Sequence, residues 1–179
     1  HKSISSSGLK TIYKKSVYHH LNSMFKMTDA MNFGSAVHSA LLEDSNDIAV
    51  LPEFNARTKE GKKIKQDFFD NNKGKIIIKQ EEQEAIEKIK KNFNGHSLAK
   101  SLVQRLTETE VSYYGTIDNV PVRVRPDGIK DNDYIIDIKT TSDASPRFFK
   151  SQVYNFAYHL QACFYSEALG YDPAKFRFI

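Results

Sequence analysis

The sequence predicts an α/β fold, in which a mixed central sheet is flanked by helices and follows an N-terminal helical portion. Three observations predict it. Apolar residues follow helical spacing over much of the first hundred residues, strand-like stretches fill 108–140, and a long helical pattern over 146–169 leads into a last strand-like segment, 175–179. A chain of 179 residues is also long enough to bury a core of its own.

The N-terminal portion contains four predicted helices and one short predicted strand. The helices cover residues 8–26, 32–43, 58–72 and 81–93, and the strand covers 75–79. Thr28 and Asp29 precede the second helix, and Asn94 and Gly95 close the fourth. Polar residues at the start of a helix and glycine at its end are the usual boundary signals.

Two strand-like stretches come next. Residues 120–127 alternate, with valines on one face and Arg123, Arg125 and Asp127 on the other. Before them, residues 110–114 can supply another strand, whose glutamate, serine and second tyrosine share a face.

A polar turn at 131–133 separates these stretches from a further strand at 134–139. Since side chains on a strand alternate, Asp137 and Lys139 lie on the same face. An antiparallel pairing of this strand with 120–127 would bring Asp127 and Asp137 within reach of one cation.

Two carboxylates beside a lysine predict a site for a hard cation. Carboxylates, carbonyls and water are the ligands of Mg²⁺ and Mn²⁺, and a neighbouring ammonium can polarise a phosphodiester. The alternative is an exposed hairpin that carries charges to stay soluble and to protect a sheet edge. Against it, Asp137 interrupts the apolar run at 134–138, where a charge needs a partner or a metal.

With these residues, the chain resembles the PD-(D/E)xK nuclease superfamily. Asp137 takes the acidic position of the (D/E)xK part of the motif. It is most similar to the branch that contains the RecB nuclease domain and exodeoxyribonuclease VIII (the RecE type). Residues 33–38 resemble that branch's GxxxH helix, and residues 161–165 resemble its QxxxY helix. Segments 5–10 and 57–62 are also similar to RecE-type segments, so the matches follow the family's order along nearly the whole chain.

The resemblance implies a set of metal ligands. It gives the divalent ion, Mg²⁺ or Mn²⁺, to Asp127, Asp137, the Ile138 carbonyl, His38 and Glu110. A neutral imidazole is a reasonable ligand. Without the resemblance, a histidine on a helix is more often a structural residue, and that alternative stays open for His38.

The resemblance also implies roles for three further side chains. Lys139 orients or deprotonates the attacking water and stabilises charge in the transition state. Gln161 and Tyr165 are four residues apart, so they share a helix face and support the lysine and the DNA backbone. Tyr154 and Tyr158 extend this face, although the same stripe is typical of a helix that packs its aromatic residues on a sheet.

Charge is distributed unevenly along a chain of net charge +4. Residues 57–79 contain eight basic and three acidic residues, whereas 108–143 contain eight acidic and four basic ones. An acidic pocket in a basic protein suits a metal-dependent nuclease, because cations and phosphates must meet there. The alternative for the basic run is a solvated helix face. The residues predicted to contact DNA are Arg57, Lys59, Lys62, Lys63, Lys65, Arg123 and Arg125.

Cys163 is the only cysteine, which excludes an intrachain disulfide and a zinc or iron–sulfur cluster held by cysteines. Its apolar helical neighbours predict a packed, reduced thiol, as in cytoplasmic proteins. The sequence shows neither a signal peptide nor an apolar run long enough to span a membrane.

The function that the resemblance implies is exonucleolytic degradation of linear double-stranded DNA in phage or prophage recombination. A homo-oligomeric ring around the DNA and a single-strand annealing protein as partner are implied in the same way. One alternative is a PD-(D/E)xK endonuclease or a nuclease that acts on single strands. Another is a non-catalytic DNA-binding module, which loss of Asp127, Asp137 or Lys139 would indicate; all three are present.

We expect residues 1–179 to form a single nuclease domain, with a helical portion over about 1–100 and the core over about 107–179. The abrupt end on Phe178 and Ile179 predicts that the parent protein continues or that later residues are missing. Polarity, processivity, oligomer number and the choice between one and two metal ions stay open at this point.

Overall fold

The computed structural model describes residues 3–24, 26–43 and 47–179. The chain forms two compact units, one made of residues 1–25 with 102–179 and the other of residues 26–101. Among the described residues, no helix is both long enough and apolar enough to cross a membrane.

The α/β class predicted from the sequence is confirmed. The described helices are α1 (Ser6–Lys14), α2 (Val17–Asn22), α3 (Asp29–Leu42), α4 (Lys59–Asn71), α5 (Gln80–Gly95), α6 (Ser97–Gln104), α7 (Pro146–Asn155) and α8 (Tyr158–Leu169). The described strands are β1 (Ile48–Val50), β2 (Ile76–Ile78), β3 (Glu108–Thr109), β4 (Tyr113–Ile117), β5 (Val120–Val124), β6 (Gly128–Lys130), β7 (Tyr134–Asp137) and β8 (Phe176–Phe178).

The unit formed by residues 26–101 is mainly helical. Thr28 caps α3 by accepting a hydrogen bond from Met31 N, and Thr58 caps α4 in the same way. Helix α3 packs on α5 and on β2, which pairs in parallel with β1. The core of this unit contains Val37 and Ile78, each about 1% exposed.

The other unit contains a four-stranded mixed sheet in the order β3-β6-β7-β8. Strand β6 is antiparallel to β3 and β7, and β7 is parallel to β8, which it reaches through α7 and α8. Gly128 pairs with Ile136. Continuing that register by one residue places Asp127 opposite Asp137, as predicted. The predicted partner strand is wrong, however, because β7 pairs with β6, whereas β5 pairs with β4.

A hairpin of β4 and β5 completes this unit. Its two turn residues, Asp118 and Asn119, have φ values of 48° and 64°, as a two-residue turn that follows the strand twist requires. Val122 and Val124 are buried and pack with Phe164 and Tyr165 of α8. The hairpin therefore packs on α8, whose residues 161–165 resemble the QxxxY motif.

The predicted strand over 120–127 is wrong at its end. Strand β5 ends at Val124, and a separate strand, β6, begins at Gly128. Pro126 lies in the break, where it has no N–H to donate to a ladder. Asp127 is consequently buried, whereas Arg123 and Arg125 are exposed, so these side chains do not share a face.

The predicted strand over 110–114 is also wrong, because Glu110 has a φ of 54° and turns the chain between β3 and β4. The helix predicted over 8–26 is two helices, since Ser16 caps the start of α2, and residue 25 of that prediction lies outside the described residues. The helix predicted over 146–169 breaks before Ala157, whose φ is 51°. Tyr154 therefore lies on a different helix from the Gln161 stripe.

The helices predicted over 32–43, 58–72 and 81–93 are confirmed, as are the strands at 75–79 and 175–179. Strand β1 and helix α6 are absent from the prediction. The predicted packing of Cys163 is wrong: it is exposed, because Gln161, Phe164 and Tyr165 occupy the inner face of α8.

Candidate active site

Asp137 lies at the centre of the site. It is the last residue of β7 and its side chain is almost fully buried, with 2% of the residue exposed. Its Oδ1 accepts a hydrogen bond of 2.6 Å from Gln161 Nε2, and its Oδ2 forms an ion pair with the Lys139 ammonium. A buried carboxylate is tolerated only with such partners, so the side chain is fixed in orientation.

Asp127 supplies a second buried carboxylate, at 7% exposure. Its Oδ2 accepts a hydrogen bond of 2.6 Å from the backbone N–H of Ile138, directly after Asp137. The Tyr165 hydroxyl donates to the Arg125 carbonyl at 3.2 Å and holds the loop that carries Asp127. The residue after β7 therefore binds Asp127, and α8 contacts both Asp137 and the loop before Asp127.

Glu110 adds a third acidic group in the same unit. One of its carboxylate oxygens lies within 4.8 Å of an Asp127 oxygen. Its backbone carbonyl accepts a hydrogen bond from Arg125 Nε at 2.9 Å, and its Oε2 lies 2.9 Å from the same nitrogen. The left-handed backbone of Glu110 turns the chain here, and Arg125 holds that turn in place.

The chemistry of these donors fits a divalent cation. Asp127, Asp137 and Glu110 present only carboxylate oxygens, the ligands that Mg²⁺ and Mn²⁺ prefer. Two of the three are buried, so a bound cation would also offset the cost of keeping their charges out of water.

Lys10 belongs to the site, although no sequence pattern assigns it a role. It lies on α1, and its Nζ donates a hydrogen bond of 2.6 Å to Gln161 Oε1. An ammonium can only donate, so it requires the carbonyl oxygen of the Gln161 amide to face it. The NH₂ group must then face Asp137, which can only accept. Lys10 thus sets the amide orientation that suits Asp137.

Lys10 is also unusual in its protonation. Burial lowers its pKa from 10.5 to about 8, helped by the charge of Lys139, while the charge of Asp137 acts in the opposite direction. The one sequence signal for Lys10 was its place in segment 5–10, which is similar to RecE-type proteins. Helical periodicity alone could not reveal a partner 151 residues away.

Two tyrosines of α8 border the carboxylates. Burial raises the pKa of Tyr165, and the charges of Asp137 and Asp127 raise it further. Burial also raises the pKa of Tyr158, where the charge of Lys139 acts in the opposite direction. Both phenols therefore stay neutral around pH 7, and the Tyr165 hydroxyl donates its hydrogen bond to the Arg125 carbonyl.

The first unit brings together most of the predicted site residues, namely Asp127, Asp137, Ile138, Lys139, Glu110, Gln161 and Tyr165. His38 lies half-buried on α3 in the other unit, and its role as a ligand stays a prediction. Arg57, Lys59, Lys62, Lys63 and Lys65 are exposed on α4 or just before it.

A pocket of about 430 Å³ opens beside Gln161 and Tyr165. Lys10, Arg123 and Arg125 contribute basic groups to its wall, and Gln161 and Tyr165 connect it to the acidic residues. Serine hydroxyls from residues 5–7 and 112 also line it. This composition is typical of a surface that contacts phosphate groups.

The hairpin, the mixed sheet and the buried acids beside a lysine define a PD-(D/E)xK nuclease fold. Residues 5–175 match the family described as "PDDEXK-like domain of unknown function (DUF3799)", and the chain belongs to this family.

The fold is also similar to the crystal structure of a "putative exonuclease" from Eubacterium rectale, with a TM-score of 0.58 and 17% identity. The match covers 99% of this chain but only 66% of the other. No curated protein matches the sequence.

Proposed function

We propose that the protein is a divalent-metal-dependent deoxyribonuclease that degrades linear double-stranded DNA from an end. The observation that carries this proposal is the set of contacts around Asp137. Its buried carboxylate is held by Gln161 and Lys139, and the backbone N–H of the next residue, Ile138, binds Asp127. Two neighbouring buried acids can hold a divalent ion, and a lysine beside them can act on the water and the phosphate, so the arrangement suits metal-assisted hydrolysis of a phosphodiester.

The metal would be held by Asp127, Asp137 and Glu110, with the Ile138 carbonyl and His38 as the further ligands that the family resemblance implies. Bound there, Mg²⁺ or Mn²⁺ would polarise a phosphoryl oxygen and lower the pKa of a coordinated water.

The protein's own groups would position the reactants. As an ammonium, Lys139 can donate hydrogen bonds to the attacking water and to the phosphate oxygens, on which negative charge increases in the transition state. Gln161 keeps Asp137 in orientation, and Tyr165 fixes the Asp127 loop through the Arg125 carbonyl. Arg123 and Arg125, at the wall of the pocket, would contact the DNA backbone.

The choice of an exonuclease rests on the RecE-type motifs and on the fold shared with a protein described as an exonuclease. A role in phage or prophage recombination, a ring-shaped oligomer, an annealing partner and a cytoplasmic location are parts of the same proposal.

Linear and circular duplexes of one sequence, incubated with Mg²⁺ or Mn²⁺, test the proposal. We expect the linear form to be degraded and the covalently closed circle to survive. Blocking each end in turn would then give the polarity.

Three other outcomes would lead to different conclusions. Cutting of the circle would indicate an endonuclease, and degradation of single strands alone would indicate a single-strand-directed enzyme. Binding of DNA without any metal-dependent cleavage would indicate a non-catalytic module and would overturn the proposal.

A further inference from the structure

An aromatic surface lies directly beside the catalytic lysine. It consists of Phe156 and Tyr158, which we call the aromatic ledge. Phe156 stacks on Tyr158, with ring centroids 5.6 Å apart and planes inclined by 26°. Phe156 is 51% exposed, so its ring is accessible to a partner from solution.

The backbone is bent to present this ledge. Helix α7 ends at Asn155, and α8 restarts at Tyr158 after Ala157 in the left-handed conformation, with φ 51° and ψ 47°. Ala157 is fully buried, and a non-glycine residue in this conformation costs roughly 1 kcal/mol or more. An uninterrupted helix would avoid that cost, but residues two apart on a helix do not face each other, so Phe156 would not stack on Tyr158.

Three ammonium groups surround the ledge. Lys139 Nζ lies 5.0 Å and Lys10 Nζ 5.2 Å from the centroid of the Tyr158 ring, and Lys14 Nζ lies 5.9 Å from that of Phe156. These distances allow cation–π attraction. Rings bordered by cations match a nucleotide, which combines a flat base with a negative phosphate.

The inner end of the ledge is rigid. Tyr158 packs against Phe149 and Phe178, with centroids 6.3 Å and 5.7 Å away. Tyr158 therefore connects the lysine of the active site to the exposed ring of Phe156. A base next to the phosphodiester at Lys139 would meet that exposed ring.

We propose that the aromatic ledge binds an unpaired nucleobase of the strand being cut, next to the phosphodiester at Lys139. The base must be unpaired because bases inside a duplex already stack on both faces. Stacking on an aromatic ring is also tolerant of sequence, as a nuclease that degrades any DNA end requires. The proposal deepens the proposed function and rests on it, since it assigns the ledge to the same DNA strand.

The test uses a short single strand of thymidines that carries the fluorescent base 2-aminopurine at one end, in the middle or at the other end. Binding to the protein is measured in EDTA, where the divalent ions needed for cleavage are removed. Stacking quenches 2-aminopurine. We expect quenching at one of these positions, and Phe156→Ala should remove it and weaken binding by about 5- to 150-fold.

Two variants serve as controls. Phe156→Trp keeps a flat ring and should retain both the quenching and the affinity. Phe69 on α4 is a matched exposed phenylalanine, 41% exposed and with Lys65 Nζ 5.8 Å from its ring centroid. Phe69→Ala should leave the quenching unchanged, which separates the ledge from any exposed ring near a lysine.

An abasic nucleotide at the quenched position provides the decisive comparison. Wild type and Phe156→Ala should bind this strand equally, because the base that the ring contacts is missing. If Phe156→Ala quenches and binds like wild type, or if it weakens the abasic strand as much as the intact one, the ledge does not hold a base.

Cleavage of linear duplex by the same wild-type preparation with Mg²⁺ or Mn²⁺ distinguishes the two proposals. If wild type cleaves DNA but Phe156→Ala binds the base as wild type does, only the proposal for the ledge is rejected. No cleavage by wild type rejects the proposed function, and with it the ledge as part of a nuclease site.

Discussion

The two units of the protein use their lysines in opposite ways. In the first unit, Lys10 and Lys139 are shielded from solvent, lie over the Tyr158 ring and are connected to Asp137 directly or through Gln161. In the second, the lysines of α4 are exposed along one helix. Lysines with buried partners are fixed in geometry and can act on a reaction, whereas exposed ones contribute attraction that salt screens.

The largest effect is expected at Asp137, to which the half-buried Lys139 binds directly and the half-buried Lys10 through Gln161. Asp137→Asn keeps the shape and an oxygen for Gln161 but removes a charge from the proposed metal site. Cleavage of linear duplex at saturating Mg²⁺ should fall by orders of magnitude, with the circular dichroism spectrum retained. Asp118→Asn, in the exposed hairpin turn where asparagine tolerates a positive φ, should cut like wild type. Near-normal cleavage by Asp137→Asn would remove this acid from the site.

Lys10 should have the next largest effect. Without it, the Gln161 amide can turn its oxygen toward Asp137, so Lys10→Met should lower kcat by about 10- to 100-fold, as is typical for groups that orient ligands. Lys10→Arg should recover part of the loss, and Lys15→Met, exposed at the end of α1, should have little effect.

A double-mutant cycle distinguishes this orienting role from general destabilisation. If Lys10 acts through Gln161, Lys10→Met should add little to the kcat loss of Gln161→Ala. Fully additive losses in kcat would mean that the two residues act independently.

The sequence predicted the pairs whose spacing follows a strand or a helix. Asp137 and Lys139 are two residues apart on a strand, and Gln161 and Tyr165 are four apart on a helix, so each pair shares a face by periodicity. The antiparallel approach of Asp127 to Asp137 followed from the turn at 131–133. These contacts are local or join neighbouring strands, so the periodicity of the sequence was enough to predict them.

Other features depend on contacts that no short pattern contains. The hydrogen bond from Lys10 to Gln161 joins residues 151 positions apart. The break at Ala157 places a non-glycine residue at positive φ inside a continuous helical pattern, against its intrinsic preference. Pro126 did signal the end of β5, but the alternation of valines and arginines before it favoured a longer strand.

The buried position of Lys10 also predicts a pH dependence of stability. Its pKa is about 8 in the folded protein and 10.5 when unperturbed, so the unfolded chain binds more protons between these values. The contribution of Lys10 to the free energy of unfolding therefore rises with pH across this window. Below pH 8 both states are protonated, and charging this buried group costs stability at a constant level.

Urea unfolding of wild type and Lys10→Met at a series of pH values from 8 upward, kept below the range where tyrosines titrate, measures this effect. The wild type should gain stability relative to the variant as the pH rises. Parallel curves would show that Lys10 has the same proton affinity in both states.

The smallest effects are expected for the exposed lysines. If α4 and the residues just before it follow the phosphate backbone, two double alanine variants should weaken binding equally for all DNA sequences. One variant replaces both Arg57 and Lys59, and the other replaces both Lys62 and Lys63. Each lost contact should flatten the slope of log K against log salt by roughly 0.9. Lys88 and Lys91, exposed on α5, form a matched control pair. An unchanged slope would make α4 a solvated face.

The central claim is that the acids and the lysine of the first unit cut DNA. Single-turnover cleavage of linear duplex by wild type and Lys139→Ala, with the Kd for DNA measured in parallel, tests it most directly. Because the ammonium acts mainly on the transition state, the rate at saturating protein and Mg²⁺ should fall by orders of magnitude while the Kd changes little. A variant that binds DNA far more weakly but cleaves bound DNA at the normal rate would contradict the account.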